Sequence, residues 1–457
     1  MDSKVNSVQH FFFIGIAGTG MSAIAQYLKG TGKKVSGSDR LFHADKKMLI
    51  QEQFEQLGIQ CFFQDASGVT KDIDVVVIST AIEETNIELQ KARLLNIPVM
   101  KRSELLAAIS SQKRTLAVGG TSGKSTTTAM IFHILQENGY SPSIISGAGL
   151  VSLQNKGLPG NAWNGGSEWL VIEADESDGS IVNYLPEISV LLNLNRDHKE
   201  INELIDLFET FKKNTRKIFI VNHDQGMLQP LSQDKKYDFG MTENVGFFGA
   251  NFIQKGFEIQ FTINNISFKI PVIGVHNMEN AMAATAVASS AGIPISGSAK
   301  ALNSFEGIYR RTQLIGEKRG IWIMDDFSHN PSEVAAAIRS CQLIGQHVIA
   351  WFQPHGYGPL RFMQHELVDA VCNTLRGNDC FIMSDVYYAG GTITKDITSG
   401  DVVNAMLMKT PNIIFIPDRK NLAKKLKTVA KTGDVILLMG ARDPSLADFA
   451  KSIYAEI

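Results

Sequence analysis

Short apolar runs alternate with amphipathic stretches along most of this chain, the pattern of parallel strands joined by helices. An apolar run from Phe11 leads into glycines, a helix-like stretch Met21 to Lys29, Gly32 and a second strand ending at Asp39. Asp74-Val75-Val76-Val77-Ile78-Ser79 is continuous rather than alternating, which predicts a strand buried on both faces. This block runs to about Gln112. A second opens with Thr115-Leu116-Ala117-Val118, a glycine loop and a helix from Ser125 to about Glu137, stopped by Asn138-Gly139. Strands at Trp169 to Ile172 and Ile188 to Leu192 extend it. Phe257 to Val272 alternates about Asn264-Asn265 as an antiparallel hairpin, and the polar segment Ser232 to Asn244 reads as a surface loop. Beyond Arg310-Arg311 a third block begins: strand Gly320 to Met324, helix Pro331 to Ser340, strand His347 to Phe352, then strands at Cys380 to Met383, Ile413 to Ile416 and Val435 to Met439. The expected fold class is α/β with three domains, at 1–112, 113–312 and 313–457.

Composition narrows the functions. At 457 residues the chain exceeds a single core, and Lys plus Arg (44) against Asp plus Glu (46) leaves a net charge of −2. No global basic field exists to hold nucleic acid or an anionic membrane, so an anionic ligand must be gripped locally. Cys61, Cys341, Cys372 and Cys380 form no C-x-x-C pair, which argues against a disulfide framework or a cysteine zinc site and fits a reducing, cytoplasmic setting. Phe11 to Ala25 could imitate a secretory leader, but the same residues fit a strand, glycine turn and helix. No apolar run reaches the ~18 residues that a membrane helix needs.

The candidate chemistry sits at strand ends. Gly119-Gly120-Thr121-Ser122-Gly123-Lys124-Ser125 lies between a strand and a helix, where backbone N–H groups and the helix N-terminus converge on phosphate, with Lys124 for charge and Ser125 for Mg²⁺. Val118 stands where the usual phosphate-loop pattern has its first glycine. A glycine-rich turn with a solvated lysine is the bland alternative. Glu173-Ala174-Asp175-Glu176-Ser177-Asp178 ends one strand and could supply metal ligands or remain a solvated acidic turn; Asp197-His198 follows another. Gly15, Gly18 and Gly20 give G-x-x-G-x-G rather than the dinucleotide pattern, with Asp39 ending the next strand. That turn fits NAD, a nucleotide-sugar or a plain tight turn.

Taken together, these blocks resemble the Mur ligases, ATP-dependent amide-forming enzymes of bacterial peptidoglycan synthesis. The resemblance runs over nearly the whole chain: Gly15 to Ser22, Gly37-Ser38-Asp39, Ser79-Thr80-Ala81-Ile82, the phosphate loop, Glu173 to Asp178, Asn193 to His198, Gly274 to Ala281, Arg310-Arg311, Asp325 to His329 and Phe352-Gln353-Pro354-His355. It implies a Rossmann-like N-terminal domain for a UDP-sugar, a central P-loop ATPase domain, and a Rossmann-like C-terminal domain for the incoming amino acid. It also implies the branch that joins L-alanine to UDP-N-acetylmuramate. By position, Gly15, Gly18, Thr19, Gly20, Met21, Ser38, Asp39, Ser79, Thr80 and Ala81 would hold the UDP-sugar. Gly120, Thr121, Ser122, Gly123, Lys124, Ser125, Thr126, His276, Asn277, Asn280, Arg311 and Asp326 would hold ATP. Ser125, Glu173 and His198 would hold Mg²⁺; Lys124, Glu173, His198, His329 and His355 would be catalytic; His355 and Arg361 would meet the acceptor. Closure about a hinge near Thr312 would keep water from an acyl phosphate.

Departures from the family pattern bear on the acceptor. Ser122 and Asn330 each stand where a histidine is common. After His355 the family continues with arginines that pair with an amino acid's carboxylate; here Gly356-Tyr357-Gly358-Pro359-Leu360-Arg361 keeps only Arg361. Arg442 replaces a glycine and could supply the missing cation. The resemblance therefore also allows a murein tripeptide ligase as a second reading, although Ser177 replaces that enzyme's usual tyrosine. From other classes, a nicotinamide-dependent oxidoreductase would use Gly15 to Asp39 and leave Lys124 unexplained, and a nucleotide-binding module without catalysis would explain the lost arginines.

Overall fold

A computed structural model describes residues 2–45, 47–195, 200–242, 244–388 and 394–457. His198 lies outside them. The first sheet consists of β1 (His10–Ile14), β2 (Lys34–Asp39), β3 (Gln60–Phe63), β4 (Val75–Ile78) and β5 (Val99–Lys101), in the order β3-β2-β1-β4-β5 with every pairing parallel. β1 is buried along its whole length, as its unbroken apolar run requires. Strand order reverses at β1/β4, so the glycine turn after β1 opens into the crevice where α/β sheets bind ligands.

The second sheet is built from β6 (Arg114–Gly119), β7 (Ser143–Ile145), β8 (Ala162–Trp163), β9 (Trp169–Glu173), β10 (Ile188–Leu191) and β11 (Ile218–Val221), ordered β11-β10-β6-β9-β7-β8. β6 lies between β10 and β9, which brings the phosphate loop, the acid block and the Asn193 segment to the same edge. A four-stranded sheet follows: β12 (Phe239–Gly240), β13 (Phe247–Lys255), β14 (Glu258–Ile263) and β15 (Ile266–Ile270). Asn264 (φ 46°) and Asn265 (φ 65°) make the tight connection between β14 and β15, as the hairpin reading expects. Among its described residues, the polar segment Ser232 to Asn244 is largely exposed, as the surface-loop reading expects. This polar segment carries the buried Asp238, whose carboxylate accepts hydrogen bonds from Val221 N–H at 3.0 Å and Ser232 Oγ at 2.5 Å. Asp238 is its buried polar exception, a satisfied carboxylate just before β12.

The last sheet holds β16 (Gln313–Lys318), β17 (Ile321–Asp326), β18 (Val348–Gln353), β19 (Cys380–Met383), β20 (Ile413–Phe415) and β21 (Val435–Gly440), ordered β16-β17-β21-β18-β19-β20. All pairings are parallel except β16 with β17. The sequence reading passed over β16, an edge strand joined to β17 by Arg319 (φ 58°) and Gly320 (φ 73°). Arg310 (φ 55°) and Thr312 (φ 44°) both adopt left-handed backbone just before it.

The chain forms a three-domain α/β fold. Its contacts group into two compact units, Met1–Ala250 with Ile263–Ile266 and Glu279–Ile308, and Asn251–Thr262 with Ser267–Met278 and Tyr309–Ile457. Within the first unit the two leading sheets share a continuous apolar core in which Leu105, Leu106 and Ile109 join Ile181 and Tyr184. Polar stitches reinforce it: Asn161 Nδ2 donates to Thr19 O (2.8 Å) and Ser22 Oγ (2.6 Å), and Gln26 Nε2 donates to Asn161 Oδ1 (2.7 Å). Among the described residues no helix is long and apolar enough to cross a membrane.

Candidate active site

The phosphate loop leaves β6 through Gly120 (φ 134°) and enters the helix Lys124–Glu137 through Gly123 (φ 82°). Only glycine suits position 123, since that φ disfavours a side chain and a methyl group there would lie 2.6 Å from Asn280 Oδ1. Asn193, just past β10, fixes the loop's shape. Its Oδ1 accepts from Thr121 N–H (3.1 Å), Thr121 Oγ1 (2.9 Å) and Ser122 N–H (2.9 Å), while its Nδ2 donates to Ser122 O (3.0 Å). Asn280 Oδ1 accepts from Thr127 Oγ1 at 3.2 Å, which places Asn280 beside the loop. Ser125 is buried in the first helical turn and Thr126 is half-buried there.

Lys124 Nζ donates to Gly120 O and to Glu176 Oε2, both at 2.7 Å. Burial alone would lower its pKa, but the carboxylates of Glu176, Asp175 and Glu173 hold it above the ordinary lysine value, so it stays charged. The acid block divides its work. Glu173 Oε1 accepts from Ser146 Oγ (2.7 Å) and Gly147 N–H (2.6 Å); Glu176 grips Lys124; Asp178 Oδ2 accepts from Arg102 Nη2 at 2.8 Å. Burial opposes ionisation of Asp175, yet Lys124 and the Ser177 donors pull its pKa below the usual carboxylate value. Burial pushes the Glu176 pKa up against the pull of Lys124, so the block is a partly buried, hydrogen-bonded cluster rather than a solvated acidic turn.

At the first glycine turn, Gly15 and Ile16 N–H groups donate to Ser38 O at 2.8 and 2.9 Å. Asp39 is buried, accepting from Ala17 N–H (2.9 Å) through Oδ2 and from Leu41 N–H (3.0 Å) through Oδ1. Ser38 turns its hydroxyl inward, donating to Glu88 Oε2 at 2.5 Å, and Met21 is core, so both can offer a ligand only their backbone. Gly18 and Thr19 are exposed at the start of the helix Thr19–Gly30, and Thr80 and Ala81 are exposed beyond β4, where Ser79 Oγ accepts from Ala81 N–H at 3.4 Å.

In the second unit, Arg310 is buried against Asp325, with Nε–Oδ2 2.8 Å and Nη2–Oδ1 3.1 Å, and donates to Gly440 O (2.9 Å). Asp326 accepts from Thr312 N–H and from Ser328 N–H (2.7 Å). Arg311 and His329 both approach Glu333, at 3.6 Å and 3.1 Å. Burial would raise the Glu333 pKa, but the neighbouring His329 and Arg311 side chains hold it well below the usual carboxylate range. The His329 and His355 rings stand 5.3 Å apart, with His355 buried. Burial keeps His276 below its ordinary pKa, and Asn277 Nδ2 donates to Ile273 O (2.8 Å). Arg361 is paired with Asp396 and donates to Thr394 O (3.0 Å), whereas Arg442 is exposed with φ 60°, a backbone that favours glycine.

Three family descriptions match in series: "Mur ligase family, catalytic domain" over residues 10–114, "Mur ligase middle domain" over 118–288, and "Mur ligase, glutamate ligase domain" over 310–442. The chain belongs to the Mur ligase family. It is an ATP-dependent Mur ligase of peptidoglycan synthesis, with ATP bound by the middle domain. UDP-N-acetylmuramate–L-alanine ligases from Pelotomaculum thermopropionicum (33% identical, 97% of this chain and 96% of that one) and from a Geobacter species (34%, 95% of each) are similar along their full length. Among solved structures, the fold is similar to that of UDP-N-acetylmuramate-alanine ligase from Thermotoga maritima (TM-score 0.78, 24% identity, 98% of each chain). It is also similar to that of a murein peptide ligase from Psychrobacter arcticus (TM-score 0.70, 20% identity, 98% of each chain).

Sequence reading gave this Mur ligase no role for Asn193, Glu88, Arg102 or Glu333. Asn193, Glu88 and Arg102 act from distant segments, whereas Glu333 meets His329 one helical turn away.

Proposed function

We propose that this Mur ligase joins L-alanine to the carboxylate of UDP-N-acetylmuramate in the cytoplasm, with residues 1–112 holding the sugar nucleotide, 113–312 ATP and 313–457 the amino acid. The observation that carries the reading is the charged Lys124 at a glycine-cradled helix N-terminus, with an acid block on the adjoining strand. The full-length similarity to ligases of that name supports the substrates. In the reaction a carboxylate oxygen attacks the γ-phosphorus of ATP and the bond to the β-phosphate oxygen breaks, giving ADP and an acyl phosphate. The amine nitrogen then forms the amide bond, phosphate leaves, and a proton passes from the amine to a base. Lys124 offsets charge on the transferred phosphoryl group, and the N–H groups of the loop orient it.

Val118 pairs with Glu173 in the sheet, and the donors this edge offers, the Ser125 hydroxyl and the Glu173 carboxylate, are hard oxygens that suit Mg²⁺. Those residues would hold the ion, which when bound supplies charge neutralisation at the phosphates. Buried His355, with His329 beside it, is the candidate for receiving the amine's proton.

A second reading, a peptide acceptor in place of L-alanine, is favoured by one observation: Arg361, the arginine retained after His355, is engaged by Asp396. Incubation with Mg·ATP, UDP-N-acetylmuramate and each amino acid or the murein tripeptide, with products identified by mass, tests both. The expected product is UDP-N-acetylmuramoyl-L-alanine with stoichiometric ADP. A tripeptide adduct alone would replace the first reading with the second, and no ADP with any acceptor would defeat both.

A further inference from the structure

The helix Thr19–Gly30 has no acidic residue in its first turn and no side-chain cap, and Gly15 to Ser22 contains no lysine or arginine. A diphosphate at this turn would meet helix N–H groups and no local cation. A cation arrives from elsewhere. Arg102 begins the helix Arg102–Ser111, and its side chain packs against Gly20: a methyl group on Gly20 would stand 2.9 Å from Nη1, 3.1 Å from Cδ and 3.4 Å from Cζ. The absent side chain at position 20 therefore makes room for this guanidinium. The other terminal nitrogen, Nη2, donates to Asp178 Oδ2 at 2.8 Å. Both side chains are 22% exposed, so the pair borders solvent. Asp178 Oδ1 also accepts from Ser180 N–H (2.9 Å), within the segment that carries Asp175 and Glu176 to Lys124.

We propose that Arg102 is the cation of the sugar-nucleotide site, paired with Asp178 in the free protein and with a diphosphate oxygen once the sugar nucleotide binds, so that filling this site frees a carboxylate of the block that grips Lys124. The inference rests on reading Gly15 to Met21 as the diphosphate cradle. A guanidinium suits the role because its planar fork can hold a carboxylate and a phosphate in turn. Asp178 is then a positioning residue: it holds Arg102 against Gly20 and competes with the ligand for it.

Calorimetric titration of the full chain without ATP tests this, using UDP and UDP-N-acetylmuramate as separate ligands. Arg102→Ala should weaken both by the same factor, about 10- to 100-fold, as expected for loss of a charge-assisted phosphate contact. Asp178→Asn should tighten both about 3- to 10-fold when Arg102 is present and change nothing in the Arg102→Ala background, the non-additivity expected of a shared partner. If Arg102→Ala fails to fold, tightening by Asp178→Asn alone carries the test, and unchanged or weaker binding in that variant overturns the proposal. A loss confined to UDP-N-acetylmuramate would assign Arg102 to the sugar acid instead of the diphosphate and overturn it, as would equal effects of Asp178→Asn in both backgrounds. Failure of the parent chain to bind either ligand would defeat the cradle reading itself, whereas normal binding by Arg102→Ala defeats only the role of Arg102.

Discussion

The first unit contains two glycine turns of the same plan, each leaving a buried parallel strand and opening a helix whose N-terminus can face phosphate. They differ in where their side chains come from. The turn at Gly119 to Ser125 carries its own lysine and is braced by an asparagine from the neighbouring strand's end. The turn at Gly15 to Gly20 carries no charge, is braced by Asp39, and has an arginine side chain packed against it from a helix about eighty residues further along. A site that moves a phosphoryl group needs a charge fixed within the loop, whereas a site that only holds a diphosphate can use one that exchanges partners.

The largest effect follows from removing the fixed charge. Lys124→Ala should lower turnover by at least ~10³ while circular dichroism stays unchanged, because the lysine stabilises charge that develops on the transferred group. Turnover within tenfold of the parent would erase the distinction between the turns. The brace should matter less. Asn193→Ala removes the side-chain acceptor for three donors of the loop, leaving Thr121 N–H only the long bond to the carbonyl of residue 193, and should raise the KM for ATP about 10- to 100-fold, as expected for several lost hydrogen bonds. Its KM for the sugar nucleotide should stay within twofold. Equal rises in both would show that the two turns are braced together.

That difference also explains what was legible in the sequence. Lys124 and its glycines are contiguous, so the loop could be read directly despite Val118. The central strands of each sheet followed from their apolar runs, and the Asn264-Asn265 turn from residues that tolerate positive φ. Arg102, Asn193 and Glu88 were not legible because each is brought to its site by sheet order, which periodicity does not encode. β16 was missed because an edge strand of mixed polarity carries little signal, and within the exposed segment Ser232 to Asn244 the burial of Asp238 was not legible because a bonded aspartate looks the same in sequence as an exposed one. Arg442 is the converse case: glycine would suit its φ of 60°, yet the exposed arginine stands there.

The smallest effect on activity separates the turns by pH. Beneath the first turn, Glu88 is buried beside Ser38, and burial pushes its pKa up to about 7 from the ordinary 4.5. The folded chain therefore keeps a proton that the unfolded chain has lost between those values, so stability falls as pH rises through 4.5 to 7 and levels off above. Glu88→Gln removes the ionisation while keeping an oxygen for Ser38 Oγ. Parent and variant should melt together below pH 4.5 and diverge above it, with the variant the more stable by roughly 3 kcal/mol at pH 8. Glu279, also pushed up to about 7 by burial, is present in both chains and cancels in the difference. The phosphate loop, built on the charged Lys124, should show no matching gain, and ATP affinity should be the same for parent and variant across this range. A melting difference that does not vary with pH would mean that Glu88 is already ionised in the folded chain, and that the first turn rests on a charge after all.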